Sequence, residues 1–405
     1  MRRRWGGWGA AWLAALCLLG AGCGQVIQVG DAPAGPSLMH RIASRFHRDL
    51  GAMRQLHPVG AAAPMEDGSL HGASTTFTNP LVDVWQKTLA NSPGHAISYD
   101  SVDSRADVQE ILEGHAGFAV SEIPLTPNQL DEGQIKLAEM PIGAGPVCVV
   151  YNLPKLELPL KLTPEALAGI YLGEITSWND QLLRDANPNV AMPDLNIVTV
   201  HRAHPAGSTY IFSHYLSAVD AQWAGMVPSS DDIARWPAEG RSGAGDQGVL
   251  DAVMHVPGGI GYAECGFARA LHVATASIRN ASGQFAPPTV EGVAAAFNAA
   301  APALAKDELA PIVNAAAAAA YPIVGVVYLI YPRTGAAAGR ALGLAQWVLA
   351  GGQSVSGQVG IAPLPPPLLK QELQRVGAAP PPSAVASRAR ASADKAMAGV
   401  TARHN

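Results

Sequence analysis

Apolar runs alternate with amphipathic segments along residues 69–378. Runs at 140–152, 258–264 and 321–331 consist mainly of apolar and small residues, which is typical of buried strands. A fourth run, 195–200, precedes a segment whose apolar residues recur every three or four positions, as in a helix. That stripe consists of Ile211, Phe212, Tyr215, Leu216 and Val219. The alternation predicts an α/β fold.

Length and composition extend this picture. A chain of 405 residues exceeds a comfortable single core, so we expect two lobes. An apolar content of 48% with only 15% charged residues indicates a globular protein. The Ala-rich stretch 289–320 is predicted to be helical, as is about 336–350. A net charge of −5 and the lack of a basic, aromatic-rich patch predict that the protein does not bind nucleic acid.

The turn after residues 195–200 carries candidate anion-binding groups. Arg202 offers a planar, permanently charged guanidinium that suits tetrahedral oxyanions. Gly207 would let a ligand approach the main chain, and Ser208 adds a hydroxyl at a predicted helix start, where unpaired N–H groups favour an anion. The alternative is an ordinary helix start with a surface arginine, because Ser is common at this position.

A second stretch, 72–80, has the same organisation. Small and hydroxyl residues form a loop in which the N–H groups of Thr76 and Phe77 would be available to a ligand. A helix is predicted to follow, with Asn79 as its N-cap and Pro80 at its first position. The alternative is a capped helix with no further role.

The third stretch, 97–107, leads into a small-residue strand that ends at Glu122. Ser104 and Asp107 have the spacing of a capping box, and Ser104 could also contact a ligand. An ionised carboxylate only accepts hydrogen bonds, so Glu122 beside an anion would select a protonated oxyanion such as hydrogen phosphate over sulfate. The alternative for Glu122 is a solvent-exposed strand end.

Sequence motifs of common enzymes are missing: there is no G-x-S-x-G elbow, H-E-x-x-H pair or P-loop. Residues 243–248 match G-x-G-x-x-G but lack the preceding hydrophobic strand, so we interpret them as a tight turn before a helix at Val249. His201 and His204 are separated from a helix by a proline-containing turn, which disfavours a metal site. The sequence predicts no enzyme activity, no cofactor and no metal.

The first residues predict export. Residues 1–22 combine an arginine-rich start with a short apolar core, as in a signal peptide. Cys23 follows small residues, and we favour its lipidation over simple cleavage nearby. Residues 23–68 would form a tether, and the Pro-, Ala- and Ser-rich residues 378–405 a disordered tail.

Two further cysteines, Cys148 and Cys265, have a spacing that fits no zinc site. A disulfide is open to them in an oxidising compartment. We favour buried free thiols on apolar strands.

Most of the chain from 69 to 378 resembles the phosphate-binding proteins of bacterial phosphate-specific ABC transporters. The resemblance implies a periplasmic-binding-protein fold (type II) of two α/β lobes, joined by crossing strands, with the ligand between them. It places lobe 1 at 69–139 plus 265–377 and lobe 2 at 140–264. The stretches that carry it are 72–77, 99–106, 118–125, 172–180, 201–209, 259–262 and 321–323.

The resemblance also implies a phosphate site and shows where this chain departs from the family. Glu122 stands for an acceptor Asp, Ala206 for a ligand Ser, and His204 for an Asp that orients the arginine behind the ligand. Residues 105–107 stand where the family usually has Gly. The implied phosphate-binding residues are Thr75, Thr76, Phe77, Ser104, Glu122, Arg202, Ala206, Gly207 and Ser208.

The partners implied are inorganic phosphate and the membrane subunits of an ABC permease. The protein would act in the periplasm or at the cell surface, anchored to the membrane through Cys23. Two alternatives stay open. The same fold could bind another oxyanion or an organic anion, or the protein could be a cell-surface sensor or interaction module without a transport role.

Overall fold

The computed structural model describes residues 69–90, 95–126, 128–129, 135–154, 156 and 159–377. The predicted signal peptide, the lipidation site Cys23, the tether and the C-terminal tail all lie outside these residues. Within the described part of the chain, no helix is both long and apolar enough to span a bilayer.

Strands form one large mixed sheet and one small sheet in the described residues. The strands are β1 Leu70–Thr75, β2 Ile97–Val102, β3 Ala119–Ser121, β4 Leu137–Tyr151, β5 Lys161–Leu162, β6 Val198–Arg202, β7 Gly240–Gly243, β8 Gly259–Glu264, β9 Ser277–Arg279, β10 Phe285–Ala286, β11 Val324–Pro332 and β12 Ala362–Pro363. The large sheet has nine strands in the order β2-β1-β3-β11-β4-β8-β6-β7, with β12 also paired to β4, and the small sheet has the order β10-β9-β5.

Helices connect these strands. They are α1 Asn79–Leu89, α2 Ala106–Leu112, α3 Pro164–Leu172, α4 Gln181–Ala186, α5 Gly207–Val219, α6 Ala221–Met226, α7 Gly245–His255, α8 Cys265–Ala270, α9 Val290–Leu304, α10 Ala338–Trp347, α11 Gln353–Ser356 and α12 Pro366–Arg375. A single π-helical turn, Val348–Gly352, follows α10. Helix α5 buries the predicted apolar residues Ile211, Phe212, Tyr215 and Leu216.

Strand β4 divides the large sheet into two halves. Its residues from Leu137 to Pro146 pair with β11, whereas Val147 to Tyr151 pair with β8. We call β2, β1, β3 and β11 the first half of the sheet, and β8, β6 and β7 the second half. The apolar runs predicted as strands at 140–152, 258–264 and 321–331 correspond to β4, β8 and β11, which is confirmed. The lobe limits at 139/140 and 264/265 stay a prediction.

The cysteines correct one expectation. Cys148 on β4 pairs in register with Ala263 of β8, and the chain continues two residues further to Cys265, whose Cα lies 5.2 Å from that of Cys148. The two residues form a disulfide across 117 positions of sequence. Our interpretation of both as free thiols is therefore wrong, because the antiparallel register of β4 and β8 brings them together.

The helix predicted over 289–320 is also wrong in its second part. Helix α9 ends at Leu304, and residues 305–323 form turns and irregular structure. The Asn280 side-chain amide donates to the carbonyl oxygens of Ala317, Ala318 and Ala320 at 2.9–3.1 Å. These carbonyl groups bond a distant side chain instead of the next helical turn, so a tertiary contact overrides the helix propensity of alanine.

Candidate functional site

Loops at the carboxyl ends of parallel strands supply the candidate site. In the first half, β1 pairs in parallel with β2 and β3, and in the second half β6 pairs in parallel with β7 and β8. Thr75 ends β1 and Arg202 ends β6, while Glu122 comes directly after β3. Because the carboxyl ends of parallel strands lie at one edge of a sheet, side chains distant in sequence come within reach there.

A carboxylate lies at the centre of the first-half contacts. Thr75 Oγ1 donates to Glu122 Oε2 at 2.6 Å, and Ser104 Oγ donates to Oε1 at 3.1 Å. The backbone N–H of Gly207, from the second half, donates to Ser104 Oγ at 2.9 Å. All four residues are buried. Three loops of the first half and the start of α5 therefore converge on one point.

Gly207 is required by this contact. A Cβ added at Gly207 would lie 1.7 Å from Glu122 Oε1, which no real side chain could tolerate. The glycine thus lets the main chain at the start of α5 approach the carboxyl group directly.

Burial perturbs the acids of this cluster. Desolvation by burial, helped by the nearby Asp107 charge, raises the pKa of Glu122 to about 7 against the opposing hydrogen bonds from Thr75 and Ser104. Desolvation likewise raises the pKa of Asp107 to about 6, although hydrogen bonds from Ser121 and the backbone oppose it. Glu122 therefore changes its protonation close to neutral pH.

The second half contributes a buried guanidinium. Arg202 Nη1 donates to Asp246 Oδ2 at 3.0 Å and to Ser208 Oγ at 3.5 Å. The residue is only 6% exposed, and among the described residues its buried Nε has no hydrogen-bond partner. An arginine with a spare buried N–H donor is suited to receiving an oxyanion.

Asp246 joins the two sides. Its Oδ2 also accepts from Thr76 Oγ1 at 3.2 Å, and its Oδ1 accepts from the backbone N–H of Glu264 at 3.2 Å. Asp246 lies in the first turn of α7, which starts at Gly245 rather than at the predicted Val249. The sequence pattern at 243–248 predicts a turn but does not indicate a role for Asp246.

Other predicted residues lie as follows. The side chain of His204 is exposed, and its role behind the ligand stays a prediction. Ala206 is buried at the N-cap of α5, where its N–H donates to the carbonyl oxygen of Asp231 at 2.9 Å. The ring of Phe77 is buried, and its proposed contribution through its N–H group also stays a prediction.

Two local predictions are wrong. Ser104 and Asp107 do not form a capping box: Arg105 is the N-cap of α2, and Ser104 Oγ is used by Glu122 and Gly207. Thr78, not Asn79, precedes α1 as its N-cap, and Pro80 stands at the second helical position. In both cases, tertiary partners compete successfully with local capping.

Comparison with known proteins places this geometry in a family. A model of the PBP superfamily domain matches residues 59–351. The phosphate-binding protein PstS of Xylella fastidiosa (strain Temecula1) is 35% identical over 306 residues, covering 75% of this chain and 83% of that protein. This chain belongs to the PstS family of the PBP superfamily. PstS of Haemophilus influenzae is 28% identical over 315 residues, covering 76% of this chain and 92% of that protein.

Solved structures agree with the fold of the PstS family. The phosphate-binding protein PfluDING, solved with phosphate, aligns with a TM-score of 0.61 at 19% identity, covering 76% of this chain and 93% of that chain. A human phosphate-binding apolipoprotein aligns with a TM-score of 0.61 at 20% identity, over 75% of this chain and 93% of that chain. The expected two-lobed periplasmic-binding-protein fold is thus confirmed, as is the resemblance to phosphate-binding proteins.

Proposed function

We propose that this chain captures inorganic phosphate between its two lobes and delivers it to the membrane subunits of an ABC permease. The proposal includes export, a membrane anchor through Cys23, and no covalent chemistry on the ligand. Its relatives in the PstS family are named as phosphate-binding proteins, which supports the choice of ligand.

The observation that carries the proposal is the convergence of donors on a carboxylate. A carboxylate is itself an oxyanion, and the Glu122 carboxyl group accepts from Thr75 and Ser104 while touching the backbone at Gly207. These groups come from separate loops on both sides of the cleft, so they are arranged to bind oxygen atoms of an anion. The close approach at Gly207 favours a compact anion over an organic one.

In the proposed complex, Arg202 supplies positive charge and donates to the ligand through Nε, which Asp246 does not use. Thr75 and Ser104 donate through their hydroxyls, and Thr76 through its main chain. Glu122 in its ionised form accepts a hydrogen bond from the protonated oxygen of the ligand. The remaining proposed donors are Phe77, Ala206 and Gly207 through their main-chain N–H groups, and Ser208 through its hydroxyl.

Isothermal titration of the purified chain with phosphate, arsenate, sulfate and glycerol phosphate at pH 8 tests the proposal. We expect phosphate and arsenate to bind, and sulfate to bind far more weakly, because sulfate has no proton to donate to ionised Glu122. Equal affinity for sulfate and phosphate would contradict the role of Glu122. Binding of glycerol phosphate alone would favour an organic ligand, and no binding of any of these anions would favour an interaction module.

A further inference from the structure

The cleft holds a second arginine that the proposed phosphate site does not use. Arg105 donates through Nε to Asp231 Oδ2 and through Nη2 to Asp231 Oδ1, each at 2.5 Å. Arg105 follows β2 in the first half of the sheet, whereas Asp231 lies between α6 and β7 in the second half. This two-pronged ion pair therefore connects the two sides of the cleft directly.

Both ends of the ion pair adjoin loops of the proposed site. Arg105 follows Ser104, whose hydroxyl accepts from the N–H of Gly207 and donates to Glu122. The carbonyl oxygen of Asp231 accepts from the N–H of Ala206. A change in the distance between Arg105 and Asp231 would therefore move the residues on both sides of the anion.

Asp231 is held firmly on its own side. Ser213 of α5 donates through Oγ to the carbonyl oxygen of Ser230 at 2.8 Å and accepts from the N–H of Ser230 at 3.0 Å. The Asp231 side chain is only 1% exposed, and the Ser230 hydroxyl lies at 3.4 Å from its Oδ1. The carboxylate is thus fixed relative to the helix that begins at the proposed anion site.

Arg105 occupies a backbone conformation that costs energy. Its φ is 75°, in the left-handed region that non-glycine residues rarely adopt. A strained residue of this kind persists where surrounding contacts hold it, and such residues are concentrated at functional sites. Here the contact is the two-pronged ion pair with Asp231, which fixes the guanidinium from the opposite side of the cleft.

Exposure distinguishes this pair from an ordinary surface ion pair. Exposed pairs contribute little, because water and salt screen them. Although the Arg105 side chain is 63% exposed, its partner is buried. Removal of Arg105 would leave a carboxylate in the interior without a cation, which favours separation of the two sides so that water can reach Asp231.

We propose that the Arg105–Asp231 ion pair is a latch that holds the two halves closed over the bound anion and slows its release. The proposal rests on the proposed function for the identity of the anion. Arg105 is a positioning residue that acts on the ligand through closure and does not contact it.

The test compares the full chain with Arg105→Gly, Asp231→Asn and the double variant. Arg105→Gly removes the guanidinium and relieves the positive φ, so a loss of function cannot come from added backbone strain. We expect phosphate to dissociate about tenfold faster from each single variant, with little change in association rate. The double variant should be no worse than either single one, since both remove the same contact.

Hydrogen exchange of the ligand-free proteins provides a readout that does not depend on phosphate. The N–H of Gly207 donates across the cleft to Ser104, so its exchange rate reports opening. We expect faster exchange at Gly207 in Arg105→Gly than in the unmodified chain. If the unmodified chain binds no phosphate, the proposed function fails, but this comparison still decides whether the latch exists.

Arg279→Gln is the matched control, because Arg279 on β9 pairs through Nη2 with both oxygens of Glu165 on α3 at 2.8–3.0 Å. It should change neither the Gly207 exchange rate nor phosphate release. Unchanged Gly207 exchange in Arg105→Gly would overturn the latch. Tighter phosphate binding by Asp231→Asn would also overturn it, because a freed Arg105 would then be acting as a direct ligand.

Discussion

On the first-half wall of the cleft, hydroxyl groups surround a carboxyl group, whereas the second-half wall carries a guanidinium. Thr75 and Ser104 donate to Glu122, and no cation is among its hydrogen-bond partners in the described residues. Arg202 is paired with Asp246 and keeps buried donor capacity. The two walls are therefore suited to different tasks: the guanidinium attracts any anion, and the carboxyl group distinguishes anions by their protons.

The two walls also differ in their response to pH. Glu122 has a pKa raised to about 7 by burial, so the first wall changes charge near neutrality. The second wall has no comparable change, because arginine side chains do not lose their proton in proteins. Selectivity, more than attraction, should therefore depend on pH.

We expect the largest loss of phosphate affinity from removing the guanidinium of the second-half wall. Arg202→Ala should weaken phosphate binding by about 100-fold or more, because truncating one partner of a buried charge pair leaves the other uncompensated. Titration calorimetry measures the loss, and thermal unfolding separates it from a loss of folding. Arg279→Ala serves as the control arginine and should bind like the unmodified chain. Phosphate affinity within threefold of the unmodified chain would remove Arg202 from the proposed site.

A smaller effect, on the preference for phosphate over sulfate, should follow from neutralising the carboxylate of the first-half wall. Glu122→Gln replaces an acceptor-only carboxylate with a neutral amide that can donate, so sulfate should gain affinity and phosphate should lose it. At pH 8 we expect the phosphate-to-sulfate affinity ratio to fall by about tenfold or more. Competition titrations with both anions measure this ratio.

The unmodified chain should show the same change in selectivity on acidification. Below a pKa of about 7 Glu122 becomes protonated, so the affinity ratio should fall between pH 8 and pH 6. The Glu122→Gln variant is the internal control: the pH dependence that remains in it comes from the second ionisation of phosphate itself, and the difference between the two proteins reports Glu122. A ratio that stays constant with pH in the unmodified chain would contradict Glu122 as the selecting group.

The smallest effect concerns Ala206 at the N-cap of α5. Ala206→Ser adds a hydroxyl beside the proposed anion and a residue type favoured at N-caps. We expect phosphate to bind about fivefold more tightly, because the new hydroxyl would add one hydrogen bond to the anion. Ser208→Ala is the opposite change, since it removes a hydroxyl that lies near Arg202. Weaker binding by Ala206→Ser would show that the alanine is needed for close packing.

The central strands of the large sheet could be predicted from sequence because burial on both faces leaves a simple signal. The runs that became β4, β8 and β11 are almost continuously apolar, and each is buried along most of its length. The turn residues Gly207 and Ser208 also carried a local signal, since small residues before a helical stripe predict a helix start.

Contacts that depend on strand register could not be predicted in this way. Asp246 reaches Arg202 because β6 and β7 pair in parallel, with Arg202 opposite Gly243 at the start of the turn into α7. The partner of Arg105 is 126 residues away, and the disulfide closes 117 residues. At Ser104 the local pattern predicts a helix cap, but its hydroxyl bonds instead to the distant residues Glu122 and Gly207.

Strand β4 has a mechanical consequence for the cleft. Its 15 residues run through both halves, with one register shift against β11 between Pro141 and Gly143, so a rotation of one half against the other would twist this strand. Gly145 lies beside the point where its pairing changes, and a Cβ there would meet the Phe77 ring at 2.8 Å. The point where the pairing of β4 changes thus lies next to the Phe77 ring, in the loop that carries Thr76. A twist of the strand at this point would displace that loop.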